Sequence, residues 1–193
     1  MLTDQQFAKA AASLGCEPAA IKAVNTVESS GSGFRTDGRP KILFEGHIFW
    51  KQLILAGIEP KKIQAGNEDI LYPTWDPAAV KPLYKMDQYA RLEKAKKINL
   101  NAALKSASWG AFQIMGFNYI NCGYTNVADF VTAQNDEFNQ LQSFCNYLKS
   151  SHLYVNLQQL DWKGFARGYN GPDYAKNQYD IKLAKAYNSF KPA

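Results

Sequence analysis

A predominantly α-helical α+β domain with a small β-hairpin lobe is the fold class that this sequence predicts. Apolar residues recur at helical spacing through most of the chain, and one Asp-Gly turn lies between two short extended runs. At 46% hydrophobic content, 193 residues suffice for one well-filled core, read as a single domain over 1–193.

Taken in order, Thr3 caps a first helix with Gln6 reaching back to it, and Gly15 stops that helix. Pro18 suits the first turn of the next. Residues 34–44 read as a hairpin around Asp37-Gly38, delivering Glu45 at its exit. Residues 48–56 follow as an amphipathic helix with Phe49, Leu53 and Ala56 on one face. Prolines 60, 73, 77 and 82 make 57–83 a run of connections with short helical turns, anchored by Trp75. Residues 86–98 read as a charged surface helix. Around Trp109, Phe112 and Gln113 small residues gather, so the backbone either approaches something closely or begins a crowded helix. Asn126 caps a helix to about Gln134, and Phe138, Leu141, Phe144, Cys145 and Leu148 form a core stripe. A helix over 162–169 ends in Tyr169-Asn170-Gly171-Pro172. The last, from about Asp173, buries Tyr174, Ile181, Leu183, Ala184 and Tyr187 and leaves Lys176, Lys182 and Lys185 in solvent.

The most pointed feature is Glu28. It shares a helical stripe with Ile21 and Val24, so it faces the core just before the chain breaks into Ser29-Ser30-Gly31. Burial disfavours its charged form and suits it to hold and donate a proton near neutral pH, unless it turns to solvent. The three cysteines, Cys16, Cys122 and Cys145, lack metal-ligand spacing. Buried thiols are therefore expected, with no metal and no cofactor. No run approaches the roughly 20 apolar residues that cross a bilayer, and residues 1–15 read as an amphipathic helix rather than a signal peptide. A chain made in the cytoplasm is expected. The net charge of +5 favours an anionic partner, whether nucleic acid, acidic glycan or lipid surface.

Three separated pieces, Glu28-Ser29-Ser30-Gly31, Trp109-Gly110-Ala111-Phe112-Gln113-Ile114-Met115 and Tyr169-Asn170-Gly171, occur in a recognisable order. They resemble the Glu-Ser-Gly, Gly-Leu-Met-Gln-Ile and Tyr-Asn motifs of goose-type lysozymes and lytic transglycosylases. The run Lys41-Ile42-Leu43-Phe44-Glu45-Gly46-His47 is similar to the N-acetylmuramidase domain of phage endolysins. The resemblance covers nearly the whole chain and leaves no separate cell-wall-binding module. It implies a lysozyme-like fold, and a monomer that acts on peptidoglycan glycan strands rather than on nucleic acid. The expected reaction is hydrolysis of the β-1,4 bond between N-acetylmuramic acid and N-acetylglucosamine, causing lysis. Such an enzyme waits in the host cytoplasm until a holin releases it to the periplasm.

By the same resemblance Glu28 is the general acid, and Gln113, Tyr169 and Asn170 bind substrate. Trp109 joins them as a stacking surface or stays in the core. Ser30 is an insertion relative to the motif, and Ala111-Phe112 replaces Leu-Met before Gln113. Glycoside hydrolysis needs a second carboxylate. Asp37 is explained by its turn, so Glu45 is the choice, with an ion pair or helix-start role beside His47 as its alternative. Two other readings stay open: a lytic transglycosylase, in which one carboxylate suffices and 1,6-anhydro products form, and an inert glycan-binding or structural protein. The lysines of the last helix, with Lys191, add weak contact with an anionic outer-membrane surface.

Overall fold

The computed structural model describes residues 2–29 and 32–191, so Ser30 and Gly31 of the Glu28 stretch lie outside the described residues. Helix α1 (Asp4–Leu14) begins as expected, with the Thr3 hydroxyl accepting from the Gln6 N–H and the Gln6 side chain accepting from Thr3 N–H. Gly15 ends it in the left-handed region at φ 65°. Helix α2 (Pro18–Ser29) packs between α1 and the last helix, and Ala20, Ile21, Ala23 and Val24 are fully buried there. Its position fixes where Glu28 emerges.

The expected hairpin closes differently. Phe34 and Pro40 make one antiparallel bridge around the Asp37-Gly38 turn, but β1 (Ile42–Phe44) pairs with β2 (Ala107–Trp109). Ile42 lies opposite Trp109, Leu43 opposite Ser108 and Phe44 opposite Ala107. The reason is cross-strand packing: the Phe34–Pro40 register would carry Ile42 opposite Ser32, which offers no apolar neighbour, whereas Ala107 and Trp109 do. β3 (Ile114–Met115) completes the antiparallel sheet in the order β1-β2-β3. Residues 107–115 are thus a second hairpin rather than a helix start.

Helix α3 (Gly46–Leu55) buries Phe49 and Leu53 but leaves Ala56 exposed past its end. Helix α4 (Pro77–Leu83) follows a 3₁₀ turn at Pro60–Ile63, so the proline-rich stretch is mostly connection. Trp75 does not anchor it; the indole is 52% exposed. Helix α5 (Gln88–Lys96) carries charge outward yet buries Arg91, Leu92 and Ala95. The Arg91 guanidinium donates to the carbonyls of Asp69 and Phe44 and to Gln88 Oε1 at 2.7–2.9 Å. A charge surrounded by acceptors can be buried, which outward-facing periodicity does not reveal.

Helices α6 (Leu100–Lys105) and α7 (Val127–Ala133) precede α8 (Glu137–Ser150), which buries Leu141, Phe144, Cys145 and Leu148 as expected. After α9 (Tyr154–Gln158), α10 (Trp162–Asn170) sets Tyr169 against Phe144, edge to face at 5.6 Å. The last helix starts later than expected: a 3₁₀ turn at Pro172–Asn177 precedes α11 (Tyr179–Phe190). Leu183 and Tyr187 are buried, Ile181 is 60% exposed, and Lys182 and Lys185 face solvent. Lys176 pairs with Asp173 at 2.9 Å. The three cysteines are free, Cys122 and Cys145 being buried.

Candidate active site

Glu28 ends α2 one turn beyond the fully buried Val24, part-buried itself. Burial pushes its carboxyl above the ordinary glutamate range, and a hydrogen bond from Asn170 partly opposes the shift. Asn170 Nδ2 donates to Glu28 Oε1 at 3.2 Å and lies 3.5 Å from Oε2. Its Oδ1 is buried and has no partner among the described residues. The sequence neighbours Tyr169 and Asn170 therefore do different things. Tyr169 stacks on Phe165 at 5.5 Å and donates its phenol proton to the Phe112 carbonyl at 2.7 Å. Burial, then the nearby Glu28 charge, holds that phenol well above its usual pKa, so it stays a neutral donor.

The turn from β2 to β3 supplies the facing wall. Gly110 adopts φ 72°, and a Cβ there would lie 2.7 Å from the Gln140 side chain. Gln140 is the reason: its Oε1 accepts from Ala111 N–H and its Nε2 donates to the Gln134 carbonyl, both at 2.7 Å. Gln113 is held at φ 47°, a left-handed conformation that costs a non-glycine residue roughly 1 kcal/mol or more. Its amide is occupied by the turn itself, Nε2 donating to Gly110 O at 2.8 Å and Oε1 accepting from Ser108 Oγ at 2.8 Å. Gln113 shapes the wall through its backbone as much as its side chain.

Glu28, Gln113, Met115, Tyr147, Asn170 and Tyr179 line an open cavity of about 380 Å³. Trp109 is not on its wall: only 4% exposed, it donates from Nε1 to the Leu104 carbonyl at 3.2 Å. Its indole is a core residue under the sheet. A hollow of similar size between α1 and α8 is lined by Lys9, Lys149 and the Cys122 and Cys145 thiols. Burial pushes both thiols up to about 12, so neither is a ready nucleophile.

Glu45 lies at the other end of the sheet, outside the Glu28 cavity lining. It occupies the N-cap position of α3 without a side-chain cap bond. Its carboxylate accepts from the Tyr84 hydroxyl at 3.0 and 2.9 Å, and Tyr84 Oη accepts from Trp75 Nε1 at 2.9 Å. Burial raises the Glu45 pKa, while the Tyr84 bond and the Arg91 charge oppose the rise. His47 Nδ1 stands 3.5 Å from Glu45 Oε2, but burial lowers the imidazole pKa, so the pair is not ionic near neutral pH. Asp37 is a turn residue: Oδ1 accepts from Arg39 N–H at 3.1 Å and Oδ2 pairs with the Arg39 guanidinium at 2.7 Å.

The pattern of an apolar-face glutamate, a glycine turn and a Tyr-Asn helix end meeting at one cavity has a counterpart among known proteins. The model of the Muramidase family, described as N-acetylmuramidase, matches residues 17–191. The chain belongs to the N-acetylmuramidase family. The crystal structure of the Burkholderia AP3 phage endolysin superposes with a TM-score of 0.88 at 40% sequence identity, over 97% of this chain and 71% of that one. The fold is thereby lysozyme-like, as the motifs implied. No curated protein matches. As a muramidase it is a peptidoglycan-degrading enzyme.

Several residues at and around this candidate site were not legible in the sequence. Tyr147 and Tyr179 reach the cavity from α8 and the start of α11, and Gln140 locks the turn from beneath. Tyr84 was inconspicuous among polar connections. Each is an ordinary helix or loop residue in one dimension, and only the packing of distant elements assigns its use. Among the described residues, no group of three His, Cys, Asp or Glu side chains gathers to hold a metal.

Proposed function

We propose that this muramidase is an endolysin that cleaves the β-1,4 bond between N-acetylmuramic acid and N-acetylglucosamine, with Glu28 as general acid. The observation that carries the reading is the part-buried Glu28 carboxyl on the wall of an open cavity, raised by burial and oriented by Asn170. A carboxyl so placed keeps its proton to higher pH and delivers it to the departing glycosidic oxygen. As that bond breaks, positive charge builds on the muramic acid ring. Water then attacks the same carbon, and the product carries a reducing N-acetylmuramic acid end.

The chain's other residues hold the parts in place. Asn170 fixes the carboxylate, Tyr169 ties α10 to the Phe112 carbonyl, and the strained Gln113 turn sets the opposite wall. Glu45 is proposed as the supporting carboxylate. The sheet leads from the cavity towards it: Met115, on the cavity wall, pairs with Ser108, which pairs with Leu43, and Glu45 follows two residues on.

A lytic transglycosylase is the second reading, favoured by one observation: Glu28 is the one carboxylate among the described residues lining the cavity. In that reaction the sugar's own hydroxyl replaces water. Mass analysis of digested wall decides, because intramolecular attack yields 1,6-anhydro muropeptides lighter by one water. Reducing products support hydrolysis, and predominantly anhydro products reject it. Glu28→Gln must abolish either reaction in a protein that still folds.

A further inference from the structure

The Glu45 end of the sheet carries an aromatic arrangement that proton donation does not use. Trp75 is half exposed, yet its orientation is fixed, because Nε1 donates to Tyr84 Oη at 2.9 Å. Tyr84 is fixed in turn by donating to both oxygens of Glu45. The backbone after the indole is also constrained: Asp76 caps α4 by accepting from Ala78 N–H at 2.9 Å, with Pro77 in the first turn. Exposed tryptophans ordinarily pack an edge or swing freely. This one presents open surface while its polar edge is tied inward, which is the geometry of a stacking platform.

The platform lies on the path of a strand that occupies the Glu28 cavity. Leu43, Ser108 and Met115 stand opposite one another across the sheet, and Met115 belongs to the cavity wall. Glu45 has extended backbone, φ −110° and ψ 100°, so it keeps the strand alternation and shares a face with Leu43. From Met115 to Leu43 is two strand spacings, roughly 9 to 10 Å, and two residues of strand add about 7 Å along the chain. A glycan crossing that face from Glu28 therefore reaches Tyr84 and Trp75 next.

Resting on the peptidoglycan-cleaving reading, we infer that Trp75 and Tyr84 form a distal subsite that seats one N-acetylhexosamine ring of the same glycan strand. The apolar C–H face of the pyranose stacks on the indole, and the Tyr84 oxygen and Glu45 carboxylate accept from its hydroxyl or acetamido N–H groups. Glu45 would then serve two neighbouring events, holding the platform and facing the strand. An enzyme with such a subsite favours long glycans over short ones.

The test uses the full chain carrying Glu28→Gln, so that sugar binds without being cut, with the hexamer of N-acetylglucosamine as the probe. Indole N–H resonances of the four tryptophans are followed by NMR during titration, the Trp75 signal being assigned by its loss in Trp75→Phe. The expected result is a saturable shift of the Trp75 resonance, and an affinity lowered about tenfold by Trp75→Ala, the usual effect of truncating a central aromatic contact. Tyr84→Phe, which removes the tether but keeps the ring, weakens binding about threefold on the same scale. Leu55→Ala, exposed on the far end of α3, leaves the affinity unchanged. A silent Trp75 signal at saturating hexamer, or parental affinity in a folded Trp75→Ala protein, overturns the subsite. The enzymatic reading is judged separately by muropeptide release from the unmodified protein, so the two fail independently.

Discussion

The two ends of the sheet each hold a carboxyl group raised by burial, but they are built differently. Glu28 receives a weak pair of contacts from one amide, whose Oδ1 is buried and has no partner among the described residues. Glu45 accepts one phenol O–H shared between its two oxygens, and that phenol oxygen itself accepts from Trp75. Each end keeps one buried polar atom without a hydrogen-bond partner among the described residues, Asn170 Oδ1 beside Glu28 and His47 Nδ1 beside Glu45, but the long amide contacts at 3.2 and 3.5 Å give the Glu28 carboxyl a slack that the phenol contacts at 3.0 and 2.9 Å deny Glu45. A group that changes protonation in every turnover is helped by slack, since a carboxyl proton needs an acceptor that the carboxylate does not. A group that stays charged and holds a ring or a cation in place is helped by rigid donors.

The sharpest way to separate the two ends is to replace each carboxyl group by its amide in turn. Glu28→Gln is expected to lower wall lysis by about 10² to 10⁴, the usual worth of general acid catalysis. Glu45→Gln keeps the acid and is expected to lose far less. Turbidity loss of stripped cells, with melting curves to verify folding, measures both. Equal losses would abolish the distinction, and substantial lysis by a folded Glu28→Gln protein would remove Glu28 from the reaction.

Stability should divide the ends in the opposite sense. Arg91 lies under the Glu45 end, donating to Phe44 O, Asp69 O and Gln88 Oε1. Arg91→Met leaves these acceptors short of partners and is expected to cost about 2 to 4 kcal/mol, since an unmade bond to a buried acceptor costs roughly 1 to 3 kcal/mol. That is a change of roughly thirtyfold to nearly a thousandfold in the folded-to-unfolded ratio, read from the urea midpoint. A shift below about 0.5 kcal/mol would show that the Glu45 end is not the tightly built one.

Asn170→Leu probes the looser end. The Asn170 bond lowers the Glu28 pKa against the larger raising effect of burial. Removing it should carry the pKa higher still. The acid must be protonated to act, so activity falls as pH rises through this pKa, and the variant's alkaline limb should move to higher pH. Its maximal kcat is expected to fall about tenfold from lost orientation. An alkaline limb that moves to lower pH would contradict the assigned role.

Much of this was readable from residue order, and what was missed has a common cause. The Thr3 and Asn126 caps, the Gly15 stop and the α8 stripe are local devices, and all appear where the sequence puts them. The pairing of β1 with β2 is not local. Asp37-Gly38 is a sound turn signal, and the turn forms, but strand partnership is decided by which segment offers apolar neighbours. Trp75, expected as an anchor, is exposed, and Trp109, open between stacking surface and core, is in the core, for the same reason. An aromatic residue in a proline-rich connection looks like an anchor, and one among glycines looks like a cleft wall. Only the sheet shows that the Trp109 indole turns into the core. Arg91 and Gln140 escaped because a buried polar side chain is recognisable only with its acceptors in view.

The smallest effect tests whether burial of Glu28 is costly to the fold. Its folded-state pKa is raised above the unfolded value, so its contribution to stability is complete below the ordinary glutamate range and is lost as pH rises through the folded-state pKa. Glutamine carries no such penalty and can still accept from Asn170. The difference in Tm between Glu28→Gln and the parent should therefore be constant in acid. It should then shift in favour of the variant as pH rises towards neutrality. In a chain of this length each kcal/mol is worth about 2 to 4 °C of Tm, so a shift of a few degrees is the scale to look for. Glu45→Gln should show less of it, because that carboxylate loses the Tyr84 proton and the Arg91 charge as partners when it is neutralised. Calorimetry of the three proteins from pH 4 to pH 8 decides. A difference for Glu28→Gln that stays flat across that range would mean the acid is not destabilised by its site, and the contrast between the two ends would rest on hydrogen-bond geometry alone.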